Sequence, residues 1–320
     1  MNTLEQTKIK PTLSYLNRLT DNFGTWQHAT EHDILVEEGY ALDDSARALI
    51  VFLQYGNKEK ALVCLNYLRE SLKDGQFIGF FSPDKKVLVY PSSRDAHALG
   101  IWAIAHAHKA KLNEELTTQM LKELENSWDD SYLRTSAYNL LAAAQLEDTA
   151  RITKFKKIIL DSFNHDWEWF EERLIYANAI FLYSLLMSGE DTNSDVIQKS
   201  LRTLEKFTHI GAFPAPVGNR LWQELNDERR DIYGQQPIDA GFTVLMYAKL
   251  FELTKDNSYR EKAQKWMSWF YGNNIWQQSL VRESDSSCGD GLDVHGVNQH
   301  RGSESTIIYL WAAKVFTDIL

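Results

Sequence analysis

Cysteine is nearly absent from this 320-residue chain: Cys64 and Cys288 stand far apart and outside any C-x-x-C pair. Such spacing gives no disulfide framework and no Cys-based zinc site, and it predicts two unpaired thiols. Proline is also sparse, with six residues, and no segment between 40 and 302 is Pro-rich, Ser-rich or a run of like charge. With no linker to divide it, the chain is expected to form one domain over 1–320. No stretch is apolar for long enough to cross a bilayer, and the amino-terminal MNTLEQTKIKPTL lacks the h-region of a signal peptide. The expectation is a cytoplasmic protein with no membrane partner. Lys and Arg number 34 against 44 Asp and Glu, and they are scattered over helix faces rather than gathered in a stripe. A net charge of -10 distributed in this way argues against a nucleic-acid partner. Equally missing are G-x-S-x-G, a Walker loop, G-x-G-x-x-G after a strand and H-E-x-x-H, so serine-hydrolase, nucleotide and zinc-protease chemistry find no support.

What is abundant is helical periodicity. Apolar residues recur at helical spacing in about twelve segments, near 5–19, 43–55, 57–72, 94–110, 112–126, 131–147, 149–163, 174–188, 193–206, 237–254, 257–271 and 303–319. Strand signals are confined to Gln76 to Phe81 and Val87 to Tyr90, flanking the turn-like Ser82-Pro83-Asp84-Lys85. The even-numbered helices are apolar nearly all round, as in HALGIWAIAHA from His97 and STIIYLWAAKVF from Ser305, and are predicted to be buried. The odd-numbered ones carry a charged face, as in EELTTQMLKELE from Glu114. Links from even to odd helices are short, whereas 20–42, 73–93, 207–236 and 272–302 lead from odd to even. Short links make antiparallel neighbours, so the long loops and the amino-terminal ends of all the buried helices are expected at one end. The pattern predicts an all-α (α/α)6 toroid of six hairpins, an inner ring of helices inside an outer one. An open superhelix of repeats is disfavoured, because the loops differ in length and no residue signature recurs.

The predicted inner helices begin with acids. Asp43 and Asp44 open the second, Asp95 the fourth, Asp239 the tenth and Glu304 the twelfth, while Glu171 and Glu172 stand just before the eighth. Any one of these carboxylates is more economically read as a cap, worth about 0.3–1 kcal/mol at a helix start. Ser92 with Asp95 has the spacing of a capping box, and Pro237 with Asp239 that of a helix opening on Pro. Their joint convergence on one funnel is the functional signal, reinforced by aromatic loops such as DWEWFEE with Trp167 and Trp169. A sugar ring has apolar faces and a hydroxyl rim, so aromatic platforms bordered by carboxylates and amides suit it. Glycoside hydrolysis needs one carboxylic acid for the leaving oxygen and one carboxylate for water or the anomeric carbon. The last long loop, from Asp285, is polar and Gly-rich and lacks D-x-D-x-D-G spacing. It reads as a substrate rim, and neither a metal nor any other cofactor is expected.

Several stretches together resemble a known group. LDDSARALI from Leu42, SSRDAHALGIWA from Ser92, WEWFEERLIYANA from Trp167, QQPIDAG from Gln235, CGDGL from Cys288 and VNQHRGSESTIIYL from Val297 are similar to an (α/α)6-barrel group of the six-hairpin glycosidase-like superfamily. Related helical regions occur alone or fused to bacterial glycosyltransferase-type chains. The resemblance implies an (α/α)6 toroid and a carbohydrate ligand, on an architecture whose members hydrolyse, phosphorolyse, eliminate or epimerise sugars. Where the group's pattern has Asn after the paired Asp, this chain has Ser45, and where it has Glu before the next Asp, this chain has Arg94. The expectation is an inverting glycoside hydrolase acting on an oligosaccharide, with Glu171, Asp44, Asp239 and Asp95 as catalytic carboxylates. Asp43, Arg94, Trp167, Trp169, Glu172, Asn178, Gln236, Asp290, Asn298, Gln299 and Glu304 are the expected substrate contacts. The alternatives are a non-catalytic glycan-binding module that partners a glycosyltransferase, favoured by Arg94, and a sugar epimerase or lyase relying on a His or Tyr base.

Overall fold

The structure, a computed structural model, describes residues 10–224, 227 and 229–320. Two compact units are present, Leu16–Asp161 and Ser162–Leu320, the latter together with the segment ending at Tyr15.

Within Leu16–Asp161 the helices are α2 (Leu42–Gln54), α3 (Lys58–Ser71), α4 (Arg94–Lys109), α5 (Glu114–Glu123), α6 (Leu133–Leu146) and α7 (Thr149–Asp161), and the short α1 (Ser14–Leu19) leads into them. α2, α4 and α6 lie side by side with α4 in the middle, and each is backed by the helix that follows it. Burial follows the periodicity: α4 hides an unbroken run from His97 to Ala105, whereas α7 buries only Phe155 and Ile159. A helix apolar all round must be enclosed by neighbours, and one with a single apolar stripe needs a neighbour on one side only. The other unit repeats this plan with α8 (Ile180–Met187), α9 (Asp195–Phe207), α10 (Pro237–Thr254), α11 (Asn257–Trp269) and α12 (Ser303–Asp318). There α10 is central, packed by α8 and α12 and backed by α11.

Helix starts differ between the two classes. Asn57, Asn113, Ser194 and Asp256 cap α3, α5, α9 and α11 with their side chains, and Asp148 Oδ1 accepts from Arg151 N at the start of α7. These helices follow tight reversals, where a local side chain must satisfy the free amides. By contrast the residues preceding α2, α6, α8, α10 and α12 (Ala41, Tyr132, Ala179, Gln236 and Gly302) provide no side-chain cap.

Four boundaries depart from expectation. α8 begins at Ile180 rather than near 174, because Arg173–Leu174 is taken by a β-ladder with Gln223–Glu224. Glu171 and Glu172 therefore belong to a loop and not to a helix start. The first helix covers only Ser14–Leu19, the early part of the expected span lying outside the described residues. The α4 cap is Ser93, whose Oγ accepts from Ala96 N at 3.2 Å, so the Ser92 and Asp95 spacing is out of step by one residue. Finally, the expected hairpin splits. Phe80–Phe81 pairs with Val87–Val89 and also with Tyr40–Ala41, while Gln76–Phe77 turns back onto Leu72–Lys73. Two-residue ladders of this kind, including His209–Ile210 with Phe213–Pro214 and Leu292–Asp293 with Gly296–Val297, stitch the long loops. They are too short for a period-2 pattern to announce them.

Close helix contact in the second unit depends on Gly241 of α10. A Cβ there would stand 2.3 Å from Ile308 Cγ1 and 3.2 Å from the Ile308 carbonyl oxygen of α12. Gly241→Ala is expected to lower unfolding free energy by about 1–3 kcal/mol through overpacking. Urea denaturation of the variant measures this, and unchanged stability would show that the two helices are not held at that distance.

Candidate active site

In the unit Ser162–Leu320 the acid at the start of α10 is held by a neighbouring amide. Asp239 is 5% exposed, and its Oδ1 accepts from the backbone N–H of Asn178 at 3.1 Å and from Asn178 Nδ2 at 3.0 Å. The same Nδ2 donates to the Ile175 carbonyl at 2.7 Å, and Asn178 Oδ1 accepts from Ile175 N at 2.9 Å. Both Nδ2 hydrogens are thus committed inside the protein, which fixes the orientation of the amide. Asn178 orients Asp239 with both of its amide hydrogens committed. Ala177, immediately before it, has φ 49°, a left-handed conformation that costs a residue with a Cβ about 1 kcal/mol or more. Two N–H donors thus converge on one carboxylate oxygen of Asp239.

Around this pair the loops take defined roles. Gln235 is buried, accepting from Trp269 Nε1 at 3.0 Å and donating to the Ile232 carbonyl at 2.9 Å, while Gln236 is half-buried and its carbonyl accepts from Asp239 N. Asp290 Oδ1 accepts from Gly302 N at 2.7 Å and so caps α12 from the preceding loop. Glu304, half-buried, occupies the first turn of that helix. Asn298 and Gln299 are exposed and bond locally, to His300 N and the Val297 carbonyl. Arg301, a buried side chain not among the expected contacts, donates through Nη1 to the Leu280 and Ser287 carbonyls and anchors the whole loop.

DWEWFEE divides between core and surface. Trp169 is fully buried and packs edge-on against Phe170 at 5.3 Å and Phe181 at 6.2 Å. It is a core residue and not a platform, which corrects the expectation. Trp167 is 36% exposed and lines a cleft of about 730 Å³ with Glu172, Glu168, Asp166, Glu224 and the α9 residues Arg202, Thr203, Lys206 and Phe207. Arg202 lies 3.8 Å from Glu168. Glu171, half-buried, adjoins Glu172 in the chain. Arg202 and Lys206 were hidden in the sequence by their place on an ordinary charged helix face.

In the unit Leu16–Asp161, Asp44 is 4% exposed and Asp43 is half-buried. Arg47, also buried, reaches both, with Nη1 3.2 Å from Asp43 Oδ2 and 3.8 Å from Asp44 Oδ1. The i,i+4 spacing of Asp43 and Arg47 was the available signal for this contact. Ser45 is buried and its Oγ accepts from Thr25 N at 3.2 Å, so it serves packing. Asp95 Oδ1 accepts from Thr135 Oγ1 of α6 at 2.5 Å and so joins two helix starts. Arg94 is exposed, pairs with Asp129 Oδ2 at 3.0 Å and lies 4.8 Å over the Tyr132 ring. Its carboxylate partner is thus drawn from the α5 to α6 connection. Burial raises the Asp129 carboxyl, but bonds from Ser131 and the charge of Arg94 outweigh it and hold the group below its usual value.

Among the described residues no group of three His, Cys, Asp or Glu is placed to hold a metal ion, and no helix is long and apolar enough to cross a membrane. Cys64 and Cys288 are buried, unpaired thiols.

The two units carry the paired inner and outer helices of the (α/α)6 fold, and comparison with solved structures shows that fold directly. A sugar epimerase from a ruminal bacterium matches with a TM-score of 0.72 at 10% identity, covering 98% of each chain. The cellobiose 2-epimerase of Bacillus thermoamylovorans matches with a TM-score of 0.73 at 13% identity, over 99% of this chain and 97% of that one. An alpha-amylase from Clostridium perfringens matches at 0.63 and 12% identity, over 94% and 96%. No family model and no curated protein matches the sequence.

His97 gives this region a pH dependence. Its Nε2 faces the Ser127 carbonyl at 3.1 Å, and burial pushes the imidazole down to about 4 against the opposing influence of Ser127 and Asp129. Between pH about 6.5 and about 4 the unfolded chain binds a proton that the folded chain refuses, so acidification weakens the fold in that window. Wild type is expected to lose up to about 3 kcal/mol there that His97→Gln does not lose. Denaturation midpoints across pH 4–7 test this, and parallel profiles would refute it.

Proposed function

We propose that this protein is a saccharide-processing enzyme, and that its reaction is glycoside hydrolysis with Asp239 as the carboxylate that activates water. The observation that carries this reading is the double clamp of Asn178 on a buried Asp239, which holds the carboxylate in one orientation, as a group that must meet a water at a fixed angle requires. Glu171, half-buried in the loop that leads to α8, is the proposed general acid, the second carboxyl group that glycoside hydrolysis requires. The cleft lined by Trp167 and Glu172 supports sugar docking, since an indole face bordered by carboxylates and cations matches a pyranose. The epimerases and the amylase among the fold neighbours agree with saccharide chemistry in general. Asp44 and Asp95 remain further candidates, each engaged by a side chain of its own unit. The inverting course would place the working carboxyl groups about 6.5–9.5 Å apart, with water between, against about 5–5.5 Å for retention.

A second reading, sugar epimerisation, is favoured by the two epimerase fold neighbours and by His300, exposed on the loop that enters α12. There a base would remove a proton next to a sugar carbonyl and return it to the other face, leaving the mass unchanged. Product mass separates the two, because hydrolysis adds one water.

Against a broad glycoside panel, Asp239→Asn and Glu171→Gln are each expected to lower kcat about 100-fold or more while keeping the wild-type circular dichroism spectrum. Wild-type turnover in both variants on a substrate the protein cleaves would remove the assignment. Saturable oligosaccharide binding with no product of either kind would favour a non-catalytic module.

A further inference from the structure

A second cavity, of about 320 Å³, lies in the unit Ser162–Leu320 and is walled by Glu205 of α9, His209 just beyond it, Tyr247 of α10, and Lys262, Lys265 and Trp266 of α11. None of these residues belongs to the proposed saccharide chemistry. In a chain of net charge -10 the wall carries three nitrogen bases and a single carboxylate. That carboxylate is already engaged, for Glu205 Oε1 accepts from Tyr247 Oη at 2.9 Å and pairs with Lys262 Nζ at 2.5 Å. Lys265 has no carboxylate partner among the described residues. Arg230 adds positive charge nearby, its guanidinium donating to the carbonyls of Lys206 and His209.

The state of His209 is set by geometry. Its Nδ1 lies 3.1 Å from the Glu205 carbonyl, which can only accept, so Nδ1 carries the hydrogen and Nε2 of the neutral ring is an acceptor. Burial lowers the affinity of this ring for a second proton and, with the charges of Lys265 and Arg230, outweighs the opposing influence of Glu205. Trp266 and Tyr247 are almost entirely buried and give the cavity an apolar floor, where charge interactions are stronger than in water.

Two lysines and a fixed nitrogen acceptor in the wall of one cavity suit an anion that has several acceptor oxygens and one acidic hydrogen. We propose that this cavity binds a phosphate group, with Lys265 and Lys262 donating to its oxygens and the P–OH of the monoanion donating to His209 Nε2. The ligand is free phosphate or the phosphate ester of a small polar molecule. An ionised carboxylate and a fully ionised sulfate have oxygens for the lysines but no hydrogen for Nε2.

Titration calorimetry of the full chain with inorganic phosphate and with glucose 6-phosphate, glucose serving as the uncharged control, tests the site. Saturable one-site binding of at least one phosphate probe is expected, with glucose inert. Tighter binding of glucose 6-phosphate than of phosphate assigns an ester, and equal or weaker binding assigns the free ion. Lys265→Ala and His209→Gln are each expected to weaken binding about 10-fold or more, the loss of one charge-assisted or buried bond. Lys265→Met, which keeps the aliphatic stem, should weaken it to the same degree with an unchanged melting temperature. Failure of both probes to bind, or binding that survives the Lys265 and His209 substitutions, overturns the proposal.

Discussion

Everything in this molecule follows from the need to enclose helices that have no polar face. α4, α10 and α12 bury long unbroken runs such as Ile307 to Ala313, and a cylinder of that kind is stable only when packed on every side. α4 and α10 each have helices of the same type on either hand, and their backs are covered by amphipathic helices reached through short reversals. Once those reversals are short, the remaining connections must be long and must gather at the opposite helix ends. Closeness of approach is the second requirement, met at Gly241 by removing a side chain altogether.

The carboxylates at the starts of the enclosed helices are the chemical consequence. Burying an acid is costly unless it is bonded or paired, and each one here is given a specific neighbour. Asp239 receives Asn178, Asp95 receives Thr135, and Asp43 and Asp44 share Arg47. These neighbours are not equivalent. An amide clamp orients a carboxylate without a compensating charge, whereas a guanidinium brings a positive charge to it. The same difference marks Arg94, which bonds Asp129 and so ties α4 to the connection before α6.

Legibility varied with the range of the interaction. Helix periodicity spans ten or more residues, and so α10 and α12 fall close to their expected limits of 237–254 and 303–319. α8 was misplaced because its approach, Arg173–Leu174, pairs with Gln223–Glu224, some fifty residues away and invisible to a local pattern. Trp169 and Trp167 look alike in DWEWFEE, yet one is core and the other lines a cleft, since burial depends on what the loop meets. Asn178 was singled out for its type, and only the packed structure gives the two hydrogens on its amide to Ile175 and Asp239.

The amino-acid order alone determined the helix count, the alternation of enclosed and half-exposed helices, the rhythm of short and long links, and the acids at the starts of α2, α4, α10 and α12. Those features are periodic or adjacent in the chain, so neighbouring residues suffice to express them. Only the tertiary structure decided which nitrogen or hydroxyl each acid would meet, which tryptophan would reach the surface, and that His209 would share a cavity with Lys262 and Lys265. Such partners are tens of residues apart, and their pairing is set by how packed helices bring remote side chains to one place.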